Sequence, residues 1–219
     1  MADNWQAQVG PMVVAAVNNI ATSQTPLTAG NLTLTAGVIA GTTPDIARRV
    51  LFTPAGAEAT NTTIWTVYGN NRSGNAITET VNGVNNPATV STVNDFASIT
   101  RIAVNKAQAG AVTVGTSGVA SSPWFLVNRH TTPINIGVCV VPSGTVNYTV
   151  EYTYDNLDNA YTTGTFPTVF SFGPMASLTA NADGVFALPV HAVRVTINSN
   201  TNPAYVRVIA LQAGLGGGN

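Results

Sequence analysis

Along this chain, short runs of alternating apolar and polar residues recur between residues 31 and 212, each closed by Gly, Asn or Pro. No segment carries a long apolar stripe at helical spacing. Successive strand side chains point to opposite faces, whereas an amphipathic helix needs apolar residues every third or fourth position, so the pattern commits the chain to β-structure. The clearest runs are residues 31–38, 47–53, 62–69, 76–82, 96–105, 111–115, 134–141, 145–154, 191–198 and 204–212. In 145–154, Val146, Tyr148, Val150, Tyr152 and Tyr154 share one face, and Thr145, Asn147, Thr149, Glu151 and Thr153 share the other. One face then belongs to a core and the other to water or a polar neighbour. The best helical candidate is residues 2–8, a short stretch that Gly10-Pro11 would stop.

Turn chemistry suggests how the runs connect. GNNRSGN, residues 69–75, has the Gly and Asn content of a hairpin loop. VVPSGTV, residues 140–146, reads as a second tight hairpin around Pro142 and Gly144, and Asp183-Gly184 as a third turn. The length of 219 residues suits one large all-β domain or two sandwiches of about 100 residues each. GTSGVASSP, residues 115–123, has the most linker-like interior composition. The expected fold class is therefore all-β, of the β-sandwich or jelly-roll type. Its expected divisions are an extended N-terminal arm (1–30), an N-terminal β region (31–119) and a C-terminal β-sandwich (120–219). These would be two consecutive small sandwiches; the alternative is one jelly roll of eight or more strands with a long arm. Internal repeats, heptads and collagen triplets are absent from the sequence.

Charge narrows the partners. Charged residues make up 8% of the sequence, against about a quarter in an ordinary soluble domain, and Thr, Asn, Ser and Gly take their place. Lys+Arg number 8 and Asp+Glu 9, a net charge of -1 with no basic patch or run, so nucleic acid and membrane are not expected as partners. Such a near-neutral chain has little repulsion between copies and is expected to associate. The opening residues lack a positive n-region, and the apolar stretch 12–20 is broken by Asn18 and Asn19, so neither a signal peptide nor a membrane span is expected. Synthesis in a cytoplasm follows, leaving Cys139 a thiol, and its valine neighbours suggest a small core residue. The Asn-x-Ser/Thr triplets at Asn31, Asn61, Asn71 and Asn147 would matter only in a secretory pathway.

Residues able to carry chemistry are sparse. His130 and His191 lie far apart in sequence, and neither has a second His or Cys at metal-ligand spacing. The serines cluster in turns such as SSP and SG, without a nucleophile-elbow pattern. Asp155 and Asp158, with Asn156, Asn159 and the preceding Glu151, form the one oxygen-rich cluster. Their spacing fails the calcium-loop pattern and reads as a polar loop after a strand. Trp5, Trp65 and Trp124 could form a sugar platform if exposed, although Trp65 reads as core and Trp124 as a residue at a sheet edge. In the doublet Arg48-Arg49 the side chains point to opposite faces, so at least one should pair with an acid or face a partner subunit. No catalytic, cofactor-binding or metal-ligating residue is expected, and the chain reads as not an enzyme.

The run TVYGNNRSGNAITETVNG, then ATVSTVNDFASITRIAV and AVTVGTSGVASSPWFLVN, resembles small β-rich virion proteins of tailed bacteriophages. The likeness continues through TPINIGVCVVPSGTVNYTVEYTYDN, ADGVFALPVHAVRVTIN and AYVRVIALQAG, from about residue 62 onward. It implies a non-enzymatic structural component of a virion, made in a bacterial host's cytoplasm and incorporated as a homo-oligomer. The favoured role is head decoration or cement, with other copies of itself and a major capsid protein as partners. Alternatives are a neck, tail or fibre-attachment role among neck or tail proteins, or a receptor- or carbohydrate-binding module. The last would require Trp124, Tyr154 and Tyr161 to be exposed together. Residues 1–20 and the Gly-rich C-terminus are the candidate segments for contact with neighbouring subunits.

Overall fold

The computed structural model describes residues 3–35, 46–128, 135–157, 167–201 and 203–212. It divides into two compact units, unit 1 comprising Met1–Val13 with Ser121–Asn219, and unit 2 comprising Val14–Ala120. The chain begins in unit 1 with strand β1 (Asp3–Met12) and then builds the whole of unit 2.

Unit 2 contains β2 (Ala16–Gln24), β3 (Gly30–Asn31), β4 (Val50–Pro54), β5 (Ile64–Asn70), β6 (Ala76–Asn82), β7 (Val90–Ser91), β8 (Ser98–Val104) and β9 (Val112–Thr116). They form two sheets, ordered β2-β9-β4-β7 and β3-β8-β5-β6. Counted from the first strand of the unit, first pairs with eighth, second with seventh, third with sixth and fourth with fifth. That is one long antiparallel hairpin rolled into a sandwich, the jelly-roll arrangement. Alternation puts Val50 and Phe52 of β4 and Trp65 and Val67 of β5 inward, all fully buried. Phe52 and Trp65 stack across the two sheets, with ring centroids 4.7 Å apart and planes 9° from parallel. Ile20, Phe96, Ile102, Val112 and Val114 complete this core.

The chain then returns to unit 1 through β10 (Ala120–Ser121), β11 (Phe125–Leu126), β12 (Ile136–Ser143), β13 (Val146–Thr153), β14 (Phe170–Ser171), β15 (Ala182–Phe186), β16 (Ala192–Asn200) and β17 (Ala204–Gln212). The sheets are β1-β17-β12-β15 and β10-β16-β13-β14, with β11 also on β16. With β10 and β11 sharing the second position, this is the same jelly-roll order as in unit 2. Its core is largely aliphatic, with Val9, Ile136, Val138, Val140, Val150, Val195, Ile197, Val206 and Val208 all buried beside the rings of Phe125 and Phe186. Tyr148 is buried among them, and its hydroxyl donates to the Ala180 carbonyl at 2.8 Å.

The all-β sandwich class read from periodicity is the observed one; several local expectations are corrected. Residues 2–8 were the helical candidate, but residues 3–12 form a strand whose residues 3–9 pair with 206–212 of β17. Asn4, Gln6 and Gln8 there alternate with the more buried Trp5, Ala7 and Val9, a period of two that the short window obscured. The described residues of the expected arm 1–30 are accordingly no free arm. They supply a first strand to each roll, and the units are nested in sequence rather than consecutive.

The expected strand 31–38 shrinks to β3, and residues 36–38 lie outside the described residues. After β3 the chain leaves β8 for β2: the Leu32 amide donates to Ile102, that of Thr33 to the Gln24 side chain and that of Thr35 to Ile20. The loop 69–75 does close the β5–β6 hairpin. Residues 140–146 do turn tightly, with Gly144 at φ +81°, but β12 and β13 belong to different sheets, so the turn is a sandwich corner. Asp183-Gly184 lies inside β15. A side chain at Gly184 would meet Met175 at 2.9 Å and the Phe172 ring at 3.0 Å, so this glycine makes room for packing instead of turning the chain.

Candidate functional site

His130, Asp158, Asn159 and Tyr161, singled out from sequence, lie outside the described residues, as does the Gly-rich end from residue 213. His191 is half-buried just before β16, its amide donating to the Thr153 carbonyl at 2.8 Å. Glu151 is occupied by structure. Its carboxylate pairs with Arg194 at 2.7 Å and accepts the Thr196 hydroxyl at 2.7 Å. The Asp155 carboxylate accepts the Thr168 amide across a loop. Among the described residues, no group of three His, Cys, Asp or Glu is placed to hold a metal ion.

The arginine doublet divides as adjacent strand positions should. Arg48 is buried and donates to the Ser117 carbonyl, while Arg49 lies 3.9 Å from Asp95. Two buried acids that sequence reasoning passed over also hold loops in unit 2. Glu58 accepts the Thr63 hydroxyl at 2.6 Å and the Gly110 amide at 2.9 Å. Glu79 accepts the amides of Val93 at 2.6 Å and Asn94 at 2.9 Å, and the Asn94 side chain at 2.9 Å. Its inward position on β6, between Ile77 and Val81, was the available signal. Burial, with a smaller contribution from Cys139, raises the Tyr148 hydroxyl above its ordinary pKa of 10.0.

The tryptophans do not make a platform. Trp65 is core, Trp5 packs on Phe125 at 5.4 Å, and half-buried Trp124 is capped by the Arg194 guanidinium 4.5 Å from its ring centre. Exposed Tyr154 instead joins Tyr152 and exposed Phe170, at 5.6 and 5.8 Å. Both contacts are edge-to-face and consume ring faces within the cluster.

The two outer sheet faces of unit 1 differ in chemistry. On β13 and β16 the outward Thr149, Glu151, Arg194, Thr196 and Asn198 bond to one another and to Ser121, and Thr149 and Thr196 are buried by doing so. The outer face of the β1-β17-β12-β15 sheet lacks such a network. It carries the exposed Val185 and Leu211 with half-buried Ile209, Cys139 and Val141. Cys139 is thus not the core residue its valine neighbours suggested, because Ile136, Val138 and Val140 take the inward positions of β12.

No protein-family model and no curated protein matches the chain. Among solved structures it is similar to the major capsid protein P2 from bacteriophage PM2, at 10% identity over 100% of both chains, with a TM-score of 0.20. It is also similar to the infectious bursal disease virus VP2 subviral particle, at 10% identity over 99% of this chain and 72% of the other, with a TM-score of 0.21. Likeness of that extent carries no functional argument. Among the described residues, no helix is long and apolar enough to cross a membrane.

Proposed function

We propose that this chain is a non-enzymatic structural protein of a tailed-phage virion: an oligomeric head decoration or cement protein that stabilises the capsid. The observation that carries the reading is the pair of nested jelly rolls, an architecture used by viral capsid and lectin domains. This is an argument from fold, and the chemistry of the side chains supports it. The buried acids Glu58 and Glu79 and the half-buried Glu151 are spent on holding loops and strands, which suits a scaffold. The low charge suits close packing of many copies. On this reading the chain is made in the bacterial host's cytoplasm and ends in the virion, where its partners are copies of itself and the major capsid protein. Neither nucleic acid nor a membrane is a partner.

One observation favours a second reading. Exposed Tyr154, just past β13, packs on exposed Phe170 of β14, where a neck, tail or fibre-attachment protein could present a receptor- or carbohydrate-binding patch. Immunogold labelling of intact particles with an antibody to this chain separates the two. Gold distributed over the whole head is the expected result. Gold at one vertex or along the tail would transfer the proposal to the second reading, and particles without gold would overturn both.

A further inference from the structure

The outer face of the β1-β17-β12-β15 sheet is apolar along its middle, and its described strands carry one exposed acid and one exposed base. Val185 is 60% exposed, Leu211 49% and Tyr205 37%, with Ile209, Cys139 and Val141 between them and Asn4, Gln6 and Gln8 along the β1 edge. The acid is Asp183 on β15 and the base Arg207 on β17. Neither side chain has an ion-pair or hydrogen-bonding partner among the described residues.

The register fixes where the charges stand. Cys139 of β12 lies opposite Asp183 on one side and Ile209 on the other, and Val141 lies opposite Arg207. Asp183 and Arg207 therefore flank β12 on opposite sides, displaced by two residues along it, with Cys139 and Val141 on the diagonal between them. A two-fold axis lying in the plane of the face, perpendicular to the line from Asp183 to Arg207 at its midpoint, sets Arg207 of each copy over Asp183 of the other. The same operation brings the Ile209, Cys139 and Val141 patch against its own mate. A face with one acid and one base on either side of an apolar centre is complementary to itself.

We infer that a second copy of this chain docks on this face, through a two-fold contact closed by reciprocal Asp183–Arg207 pairs. The inference deepens the assembly reading by naming a surface, yet it concerns the free chain and is tested away from particles. Four strands about 4.8 Å apart and roughly 25 Å long offer about 500 Å² per copy. The total of about 1,000 Å² is at the lower end for specific interfaces, so the dimer is weak in dilute solution and populated at high concentration.

Sedimentation equilibrium of the full chain over a wide concentration range tests this. A monomer–dimer equilibrium is expected. Asp183→Arg and Arg207→Asp should each weaken it by at least about tenfold, because symmetry places like charges together twice. The double variant restores the opposite pairing and should return the dissociation constant to within about threefold of the original. Both residues are exposed, so circular dichroism should find every variant folded. A chain that stays monomeric at all concentrations, single variants that dimerise unchanged, or a double variant no tighter than the singles would each overturn the inference.

Discussion

In unit 2 the two sheets meet through rings, Trp65 of β5 lying flat on Phe52 of β4. In unit 1 aliphatic side chains surround Tyr148, whose hydroxyl is satisfied by the Ala180 carbonyl, and the rings that meet across the sheets are tilted or edge-on, Trp5 on Phe125 at 5.4 Å and Tyr152 on Phe186 at 5.8 Å. Unit 2 ties its loops with the buried carboxylates of Glu58 and Glu79; unit 1 covers one sheet with a ladder of Thr, Asn and an Arg194–Glu151 pair. Yet both reach the same strand order. The jelly roll is thus set by how a long hairpin pairs with itself, and unlike side-chain sets can fill it provided each strand turns an apolar face inward.

The contrast between a core centred on a stacked ring pair and a largely aliphatic one is tested most strongly by Trp65→Ala. Removing that ring should cost about 3–5 kcal/mol of stability, measured by urea unfolding, against about 2–3 kcal/mol for Val150→Ala in unit 1. Equal losses would break the distinction. Next in size is Glu79→Ala, which removes the buried carboxylate that accepts the amides of Val93 and Asn94 and the Asn94 side chain, and should cost about 2–3 kcal/mol. Glu79→Gln keeps an acceptor and should lose less.

Tyr148→Phe, which removes one hydrogen bond from the core of unit 1, should cost about 1 kcal/mol at neutral pH. It also carries a pH signature. Burial raises the folded-state value above 10.0, so the folded chain holds this proton longer than the unfolded chain. The stability from the neutral hydroxyl is complete below that pH and is lost as pH rises through the folded value. The phenylalanine variant should show a shallower decline in alkali. An effect of similar size is expected at Arg49, where Arg49→Ala removes a 3.9 Å pair with the mostly buried Asp95 and should cost about 1 kcal/mol.

Much of this was legible locally. Residues 76–82 and 204–212 were read as strands with the observed limits, because their alternation is regular and their ends are marked by Asn, Pro and Gly. β2 escaped notice for a physical reason. Its pairing with β9 slips between Ala16 and Ala21 and again before Gln24, so the adjacent Ile20 and Ala21 are both buried and alternation is lost. β15 escaped because Asp-Gly usually marks a turn, whereas Gly184 here accommodates Phe172 and Met175. Of the outer face proposed to dimerise, the residues were in plain view, but their sharing of one surface was not. Asp183, Cys139 and Arg207 are neighbours only through the β15–β12–β17 register.

The sequence by itself determined that this chain is all-β, nearly uncharged and composed of strands with one apolar face, since those properties follow from local period and composition. Only the tertiary structure decided which strands meet. Residues 3–9 close against 206–212 across nearly the whole chain, so the sequence of one roll interrupts that of the other. Pairing at that separation depends on matched apolar faces and free backbone edges brought together in space, and no local periodicity specifies the partner.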